Sequence, residues 1–262
     1  MSATDDGPDV ERSAAALRQA ELTRTTIAPF SLTHPGLDEA RAYQIQACGL
    51  RLRGARRVGY KLGYTSAAMR AQMNIDHPNF GVLTEDLAID PALSSVDSAG
   101  LIHPLVEPEI ALLVGRRLQG TGHDRNSVWR HVDAAMPALE VVDTRYHEYR
   151  FGIVDNISDN SSSARFATGT PRSLHQCTDL RLTGVLLSCD ARPVDQGIGA
   201  NALGDPLLAL AWLVNFLGDR GEAIEEGSVV LTGGLTRAHP AARGQCLMGE
   251  FAELGTVRLQ FD

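Results

Sequence analysis

The chain has 262 residues, of which 44% are hydrophobic and 21% charged, and a formal charge of −8. That length fits one large domain, or one domain with a helical appendage. The acidic balance, without any Lys/Arg block, excludes a nucleic-acid surface; an anionic ligand would need local cations against the global field.

No run reads as the roughly 18 consecutive apolar residues of a membrane span. The start, Met1-Ser2-Ala3-Thr4-Asp5-Asp6, lacks the basic and apolar regions of a signal peptide, so a cytoplasmic protein without a membrane partner is expected. Cys48, Cys177, Cys189 and Cys246 show no paired spacing, which suits reduced thiols rather than a disulfide frame or a zinc site.

In chain order, residues 1 to about 9 are polar and expected to fray. An Ala- and Leu-rich pattern predicts a helix from Val10 to about Arg24, and Pro29 and Pro35 mark the connection after it. A second helix follows from about Leu37 to Arg53, with Ala40, Tyr43, Ala47 and Leu50 on one stripe and Gly54 as terminator. Together they predict an N-terminal helical lobe, residues 1–56, beside a main domain at 57–262.

Arg57 to Ser66 reads as a strand entering a turn. Alternation puts Lys61 with Gly59 and Gly63 on one face, so its ammonium would project over a floor without side chains, although a surface lysine fits the same pattern. Ala67 to Met73 predicts a short helix, and Asp76 to Gly81 a turn-rich loop.

Val106-Glu107-Pro108-Glu109-Ile110-Ala111-Leu112-Leu113-Val114 is an apolar run with two carboxylates at its entrance. Side chains two apart on a strand share a face, so Glu107 and Glu109 converge. Like charges held that close need a cation. A third acid, Glu140, is embedded in the run Ala138 to Val142. Three carboxylates without His or Cys suit a hard cation, Mg²⁺ or Mn²⁺, with open positions for substrate oxygens. By spacing alone the first pair also fits a solvated strand entrance, since Pro108 prefers strand starts and edges, and Glu140 fits half of an ordinary ion pair. The apolar sequence around each acid, where unpaired charge is expensive, favours the cation.

Asn126 is the predicted cap of a helix carrying Val128, Val132, Ala135 and Met136, ended by Pro137 before the Glu140 strand. A polar stretch follows through Asp143–Tyr146, Asp155-Asn156 and Asp159–Phe166, where Arg145 and Arg165 make a candidate anion-binding wall or simply a loop. In the last third, Leu182–Cys189 and Val194–Gly199 predict a hairpin. Asp205-Pro206 opens an apolar helix through Leu217, stopped by Gly218. Ser228–Leu231 predicts a core strand entering the Gly233-Gly234 bend, and Thr256–Phe261 a closing strand. Strands outnumber helices after residue 57 without regular alternation, so the expected fold is α+β with a rolled mixed or antiparallel sheet.

Several of these stretches occur together in a known order: Gly59-Tyr60-Lys61-Leu62-Gly63-Tyr64-Thr65-Ser66, Phe80-Gly81, Val106-Glu107-Pro108-Glu109-Ile110-Ala111, Ala138-Leu139-Glu140-Val141-Val142-Asp143, Asp159-Asn160-Ser161-Ser162 and Leu231-Thr232-Gly233-Gly234. From about Ala40 to the C-terminus the chain resembles the 4-oxalocrotonate decarboxylase and 2-oxopent-4-enoate hydratase family of the fumarylacetoacetate hydrolase superfamily. The resemblance implies a β-roll core, a homo-oligomer, and Mg²⁺ or Mn²⁺ on Glu107, Glu109 and Glu140. It also implies an active-site lysine at Lys61, a 2-oxo acid substrate, and association with a hydratase of the same pathway.

Leu101–Pro104, Thr144–Phe151, Ser162–Phe166 and Thr232-Gly233-Gly234 look more like the decarboxylases. Asn79 stands where hydratases of this type usually carry aspartate, and Tyr64 where leucine is usual. The implied reaction is decarboxylation of a 4-oxalocrotonate-like 2-oxo-3-enedioate to a 2-hydroxydienoate. Arg165, with Arg145 as second candidate, would pair the distal carboxylate; Ser161 and Ser162 would hydrogen-bond the chelated acid; Tyr60, Tyr64 and Asn79 would shape the pocket. Three alternatives stand beside it. They are hydration of 2-hydroxypenta-2,4-dienoate, C–C hydrolysis of an acylpyruvate, for which His103 and His147 read as structural rather than catalytic, and a non-catalytic partner subunit.

Overall fold

The computed structural model describes residues 7–67, 70, 71, 75–91 and 93–262. The expected fraying of residues 1–6, and the middle and end of the helix expected at Ala67–Met73, lie outside the described residues. Six helices carry labels here: α1 (Val10–Thr23), α2 (Phe30–Thr33), α3 (Glu39–Arg53), α4 (Arg125–Trp129), α5 (Ile153–Ser158) and α6 (Pro206–Gly218).

Local sequence chemistry sets the helix ends. The Asp9 carboxylate accepts from the Arg12 N–H at the start of α1, and Asp38 does the same for Arg41 at the start of α3. Gly54 closes α3 at φ 71°. The expected stripe on α3 is wrong in part. Ala42, Ile45, Gln46 and Cys48 are buried, whereas Ala40 and Ala47 are exposed. The helix packs against α1 on one side and α5 on another, so its buried face is set by two partners. These helices share one apolar cluster with Tyr146 and Ile157.

Eight strands form the main sheet: β1 (Arg57–Gly63), β2 (Asn79–Thr84), β4 (Leu105–Val114), β6 (Val132–Val142), β7 (Ser163–Thr168), β8 (Arg172–Ser173), β12 (Val229–Leu231) and β13 (His239–Pro240). Their order is β2-β1-β12-β4-β6-β7, with β13 also against β4 and β8 also against β6. β1 and β12 run parallel and the other pairs antiparallel, a mixed sheet. A second sheet has the order β10-β9-β14-β15-β3, from β3 (Ser95–Val96), β9 (Gly184–Cys189), β10 (Arg192–Ile198), β14 (Cys246–Phe251) and β15 (Gly255–Phe261). β5 (Leu118–Gln119) and β11 (Ala223–Ile224) pair separately. The hairpin, the Ser228–Leu231 strand and the closing strand all appear where expected.

The helix expected from Asn126 to Pro137 does not form. Asp124 caps a shorter α4, and Val132–Val142 is one continuous strand with Pro137 inside it. Proline removes a ladder donor and belongs at edges or gaps. Pro137 meets that condition because its carbonyl accepts from Gly169, in the turn between β7 and β8 where the neighbouring strand is interrupted. Pro108 in β4 is the same case: its carbonyl accepts from Leu235, in the loop between β12 and β13.

One face of the main sheet packs on α6 and the second sheet, with Ile110, Leu112, Leu139, Val141, Leu210 and Leu259 in a common core. The stretch Gly199–Gly218 has the length and, at 1.3, the mean hydropathy of a membrane span, but Asn201, Asp205 and Asn215 interrupt it, and 56% of its most apolar 18 residues are buried within the fold as core. The opposite face curls over a smaller core of Leu83, Ala111, Met136, Phe166 and Leu231. Lys61, Glu107, Glu109 and Glu140 share that second face.

Candidate metal centre and active-site cleft

Register builds the cluster. Glu107 of β4 lies directly opposite Glu140 of β6, and directly opposed residues in an antiparallel pair share a face. Glu109 follows one same-face step along β4. One carboxylate oxygen from each of the three lies within 4.8 Å of the others. β12, between β1 and β4, ends at Leu231, and the bend after it brings the Gly233 N–H to Glu109 Oε2 at 2.6 Å. Gly233 has φ +108°, and a Cβ there would collide with the Thr65 side chain. Lys61 reaches over the short β12 and places Nζ 3.1 Å from Glu140 Oε2.

The glutamates are under-satisfied. Glu109 Oε1 and both oxygens of Glu140 are buried and accept no hydrogen bond among the described residues. The Lys61–Glu140 contact is a close ion pair lying off the hydrogen-bonding directions; the ammonium donates instead to Ser161 O at 3.0 Å and Oγ at 3.4 Å. Three carboxylates against one ammonium leave two negative charges in a site that burial makes intolerant of them. An oxygen-only, doubly charged cavity with unused lone pairs fits a hard dication.

The acid–base shifts agree. Burial, and then repulsion from Glu140, push Glu107 up to about 7 against the pull of Lys61. Burial with repulsion from Glu140 and Glu107 holds Glu109 well above the carboxylate range, and burial raises Glu140 as well. Burial pulls Lys61 down, but Glu140, Glu107 and Glu109 outweigh it and the net shift is upward.

These shifts have a sign in pH. In the metal-free protein, Glu107 titrates higher folded than unfolded, where roughly 4.3 applies. The proton it holds therefore contributes stability that is complete below the unfolded value and lost as pH rises through about 7. Divalent ions compete with that proton for the same oxygens. The gain in Tm on adding Mg²⁺ is thus expected to grow from about pH 6 to about pH 8, read by scanning calorimetry. A gain that is flat or falls over that range would break the link.

Beside the cluster stands a strained turn. Asn160, Ser161 and Ser162 have φ of 50°, 52° and 58°, three successive left-handed residues that are not glycine, at a cost of roughly 1–2 kcal/mol each. The Asn160 side chain holds them by donating to Val82 O (2.9 Å) and accepting from Val82 N (2.8 Å). Asn156 Nδ2 donates to Ser162 Oγ (3.0 Å), Asn79 Nδ2 to Asn156 Oδ1 (2.7 Å), and Ser161 Oγ to Asn79 Oδ1 (3.2 Å). This brings both serines to a cleft of about 210 Å³ lined also by Lys61, Tyr64, Glu107 and Asn156. Its remaining wall is Leu105, Val142, Tyr149, Phe151 and Ala238.

The chain is 36% identical to the 4-oxalocrotonate decarboxylase of Pseudomonas putida over 264 aligned residues, covering all of both chains. It is also 36% identical to the 2-keto-4-pentenoate hydratase of Burkholderia vietnamiensis, over 98% of each. The chain belongs to this family of decarboxylases and hydratases. The solved 4-oxalocrotonate decarboxylase from Pseudomonas putida G7, complexed with magnesium and adipate, superimposes with a TM-score of 0.92 at 36% identity over 97% of both chains. More distant solved structures of the fumarylacetoacetate hydrolase family, at 15% identity and a TM-score of 0.60, share the fold alone. No protein-family model matches the chain. The α+β fold with a mixed sheet, expected from the strand pattern, is the fold observed, and it is shared with these neighbours.

Within that family frame, Lys61, Glu107, Glu109, Glu140, Ser161 and Ser162 come together as the sequence suggests. Tyr64 lines the cleft, whereas Tyr60, on the opposite face of β1, is 1% exposed in the main core. The floor beside Lys61 is not open: a Cβ at Gly63 would sit 2.7 Å from Ser161 Oγ, and one at Gly59 would enter the backbone at Val229. Asn79 is fully buried one layer behind the cleft, spent on Asn156 and Ser161.

Neither arginine lines the cleft. Arg165 pairs with Val141, so it shares the face turned away from Glu140, and its guanidinium donates to Ala164 O at 2.7 Å. Arg145 is buried against Asp159 and donates to the carbonyls of Asp143, Ser163 and Asp159, supporting the strained turn from behind. Arg165→Ala is therefore expected to leave turnover and substrate preference within about threefold. Arg145→Ala is expected to destabilise the fold by roughly 3–5 kcal/mol, read by chemical denaturation, because Asp159 is left buried and unpaired. A cleft phenotype from Arg165→Ala with no loss in Arg145→Ala would reverse the two assignments.

Sequence reasoning missed Leu105, Val142, Tyr149, Phe151 and Asn156. Period-two alternation outward from Glu107 and Glu140 reaches Leu105 and Val142, which pair with each other. The other three follow a turn, where no period extends.

Proposed function

We propose that the chain is a divalent-metal-dependent lyase of 2-oxo acids that decarboxylates a 2-oxo-3-enedioate of the 4-oxalocrotonate type. The observation that carries this reading is the set of buried carboxylate oxygens without partners beside Lys61. Glu107, Glu109 and Glu140 hold the ion, Mg²⁺ or Mn²⁺ by the chemistry of an all-oxygen site. When bound, it supplies a Lewis acid where negative charge develops on the 2-oxo oxygen.

The chain's own groups do the rest. Ser161 and Ser162 orient the 2-oxo acid end, and Lys61 offers positive charge or a proton beside it. The bond to the distal carboxylate breaks, and its electrons pass through the conjugated double bond to the 2-oxo oxygen. The solved relative holds adipate, a six-carbon dicarboxylate, which supports a substrate with acid groups at both ends.

Decarboxylation is favoured over hydration because position 79 carries an amide, not a carboxylate, with both ends hydrogen-bonded. Hydration keeps a specific claim, since a hydratase relative is as similar, at 36%, as the decarboxylase. Acylpyruvate hydrolysis lacks support: no histidine lines the cleft among the described residues, and His103 Nε2 lies 3.0 Å from Thr144 O. The intact cluster and lysine count against a non-catalytic subunit. A homo-oligomer, association with a pathway hydratase, and a cytoplasmic setting with four free thiols belong to the same proposal.

The test is incubation of the purified chain with 2-oxo-enedioates and 2-hydroxydienoates, with and without chelator, reading products by mass. Chelator-sensitive CO₂ release supports decarboxylation, and a 4-hydroxy-2-oxo acid supports hydration. Turnover of neither class in metal-replete protein ends both readings.

A further inference from the structure

Along the β4–β6 ladder, the face that carries Glu107 opposite Glu140 continues, one same-face step outward, to Leu105 opposite Val142. That step is about 6.7 Å along the strand, close to the reach of an extended six-carbon chain. Phe151 and Ala238 complete this part of the cleft, and Tyr149 adds its ring. The Tyr149 hydroxyl is already spent, donating to Val142 O (2.9 Å) and His103 O (3.3 Å). Among the described residues that line the cleft, Lys61 is the only cation, and it stands at the glutamate end beside Ser161.

We infer that the Leu105–Val142 rung, with Phe151, receives the departing carboxylate on side chains that carry neither a cation nor a hydrogen-bond donor, and so promotes its loss by disfavouring charge there. This rests on the decarboxylase reading. With the 2-oxo acid end held at the glutamates, the distal carboxylate of a six-carbon enedioate reaches this rung. Its negative charge sits against the hydrocarbon side chains of Leu105, Val142 and Phe151. As the C–C bond breaks, the electron pair moves through the double bond to the 2-oxo oxygen, neutral CO₂ leaves into the apolar part of the cleft, and the charge arrives at the polar end. A proton added to that oxygen, from Lys61 or water, gives the 2-hydroxydienoate. An interaction that weakens only the ground state lowers the barrier, and a cation at the rung would do the opposite.

Two probes share the chelating end and differ only at the tail: 2-oxoadipate, with a carboxylate, and 2-oxohexanoate, with a methyl group. Calorimetric titration of Mg²⁺-loaded protein is expected to show 2-oxohexanoate binding at least as tightly as 2-oxoadipate. In Leu105→Arg the order reverses, with 2-oxoadipate tightened by about tenfold or more, while CO₂ release from the enedioate slows by about tenfold or more. Leu105→Gln, which brings a hydrogen-bond donor without charge, is expected to move the 2-oxoadipate to 2-oxohexanoate ratio and turnover in the same directions as Leu105→Arg by a smaller factor, about threefold. Phe151→Arg repeats the test from the other side of the cleft if Leu105→Arg does not fold. Strong preference of the parent chain for 2-oxoadipate, or faster CO₂ release in Leu105→Arg, overturns the inference. Failure of the decarboxylase reading has a different signature: the parent chain releases no CO₂ from any enedioate, while the tail preference is still measured.

Discussion

Glu109→Gln is expected to abolish Mg²⁺ binding and lower turnover by about 10²–10³, while making the metal-free protein more stable. The amide keeps an oxygen for the Gly233 N–H that now bonds Glu109 Oε2 at 2.6 Å, so the bend after β12 stays in place. What is lost is one of three negative charges crowded into a buried site. Without metal, each of these charges is a burden, as the raised pKa values of Glu107, Glu109 and Glu140 express. Relief of that repulsion favours the folded state of the metal-free variant near neutral pH. Calorimetry should therefore show a higher Tm for the metal-free variant and no further rise on adding Mg²⁺. A variant that still gains Tm with Mg²⁺ would mean that Glu109 is not a ligand.

Lys61→Met is expected to separate metal binding from chemistry. The Lys61 ammonium is 3% exposed and is a like charge to any cation held by the glutamates. Its removal should leave Mg²⁺ affinity unchanged or tighter in titration calorimetry, yet lower turnover by about 10²–10⁴, the range for losing a positioned acid–base group. Stability moves the other way from Glu109→Gln: the metal-free variant should lose roughly 3–5 kcal/mol because the buried Glu109 and Glu140, with half-buried Glu107, keep no counter-charge. Mg²⁺ should then restore a larger share of Tm than in the parent chain. Turnover preserved in Lys61→Met would leave the lysine a purely structural role.

The two substitutions sit on one face of the main sheet, on β1 and β4 with β12 between them, and their opposite effects on the metal-free fold follow from charge alone. Arg145 and Arg165 show the limit of the same logic. Residue type marked both as anion partners, yet one is consumed by Asp159 and the other faces away from the cluster. Which cation serves substrate depends on register and on competing buried acids, neither of which a single stretch of chain contains.

Much else was legible in advance. Helix ends follow from local signals, as with Gly54 closing α3 and Asp205-Pro206 opening α6. The convergence of Glu107 and Glu109 follows from the two-residue period of a strand, and the demand for a dication from the chemistry of crowded carboxylates. Pro137 was misread because proline ends a helix by local rules, but it is also tolerated inside a strand where the neighbouring strand is broken, as β7 and β8 are.

By itself, then, the amino-acid order determined everything that acts over a few residues: caps, alternation, the charge of the cluster and the lysine type beside it. Only the tertiary structure decided what lies opposite what. It set Glu140 across from Glu107, sent Lys61 over the end of β12, held Ser161 and Ser162 in left-handed conformations, and put Leu105, Val142 and Phe151 in the cleft wall in place of an arginine. The reason is physical: these relations join positions dozens of residues apart, and pairing register fixes them only once the whole sheet has formed.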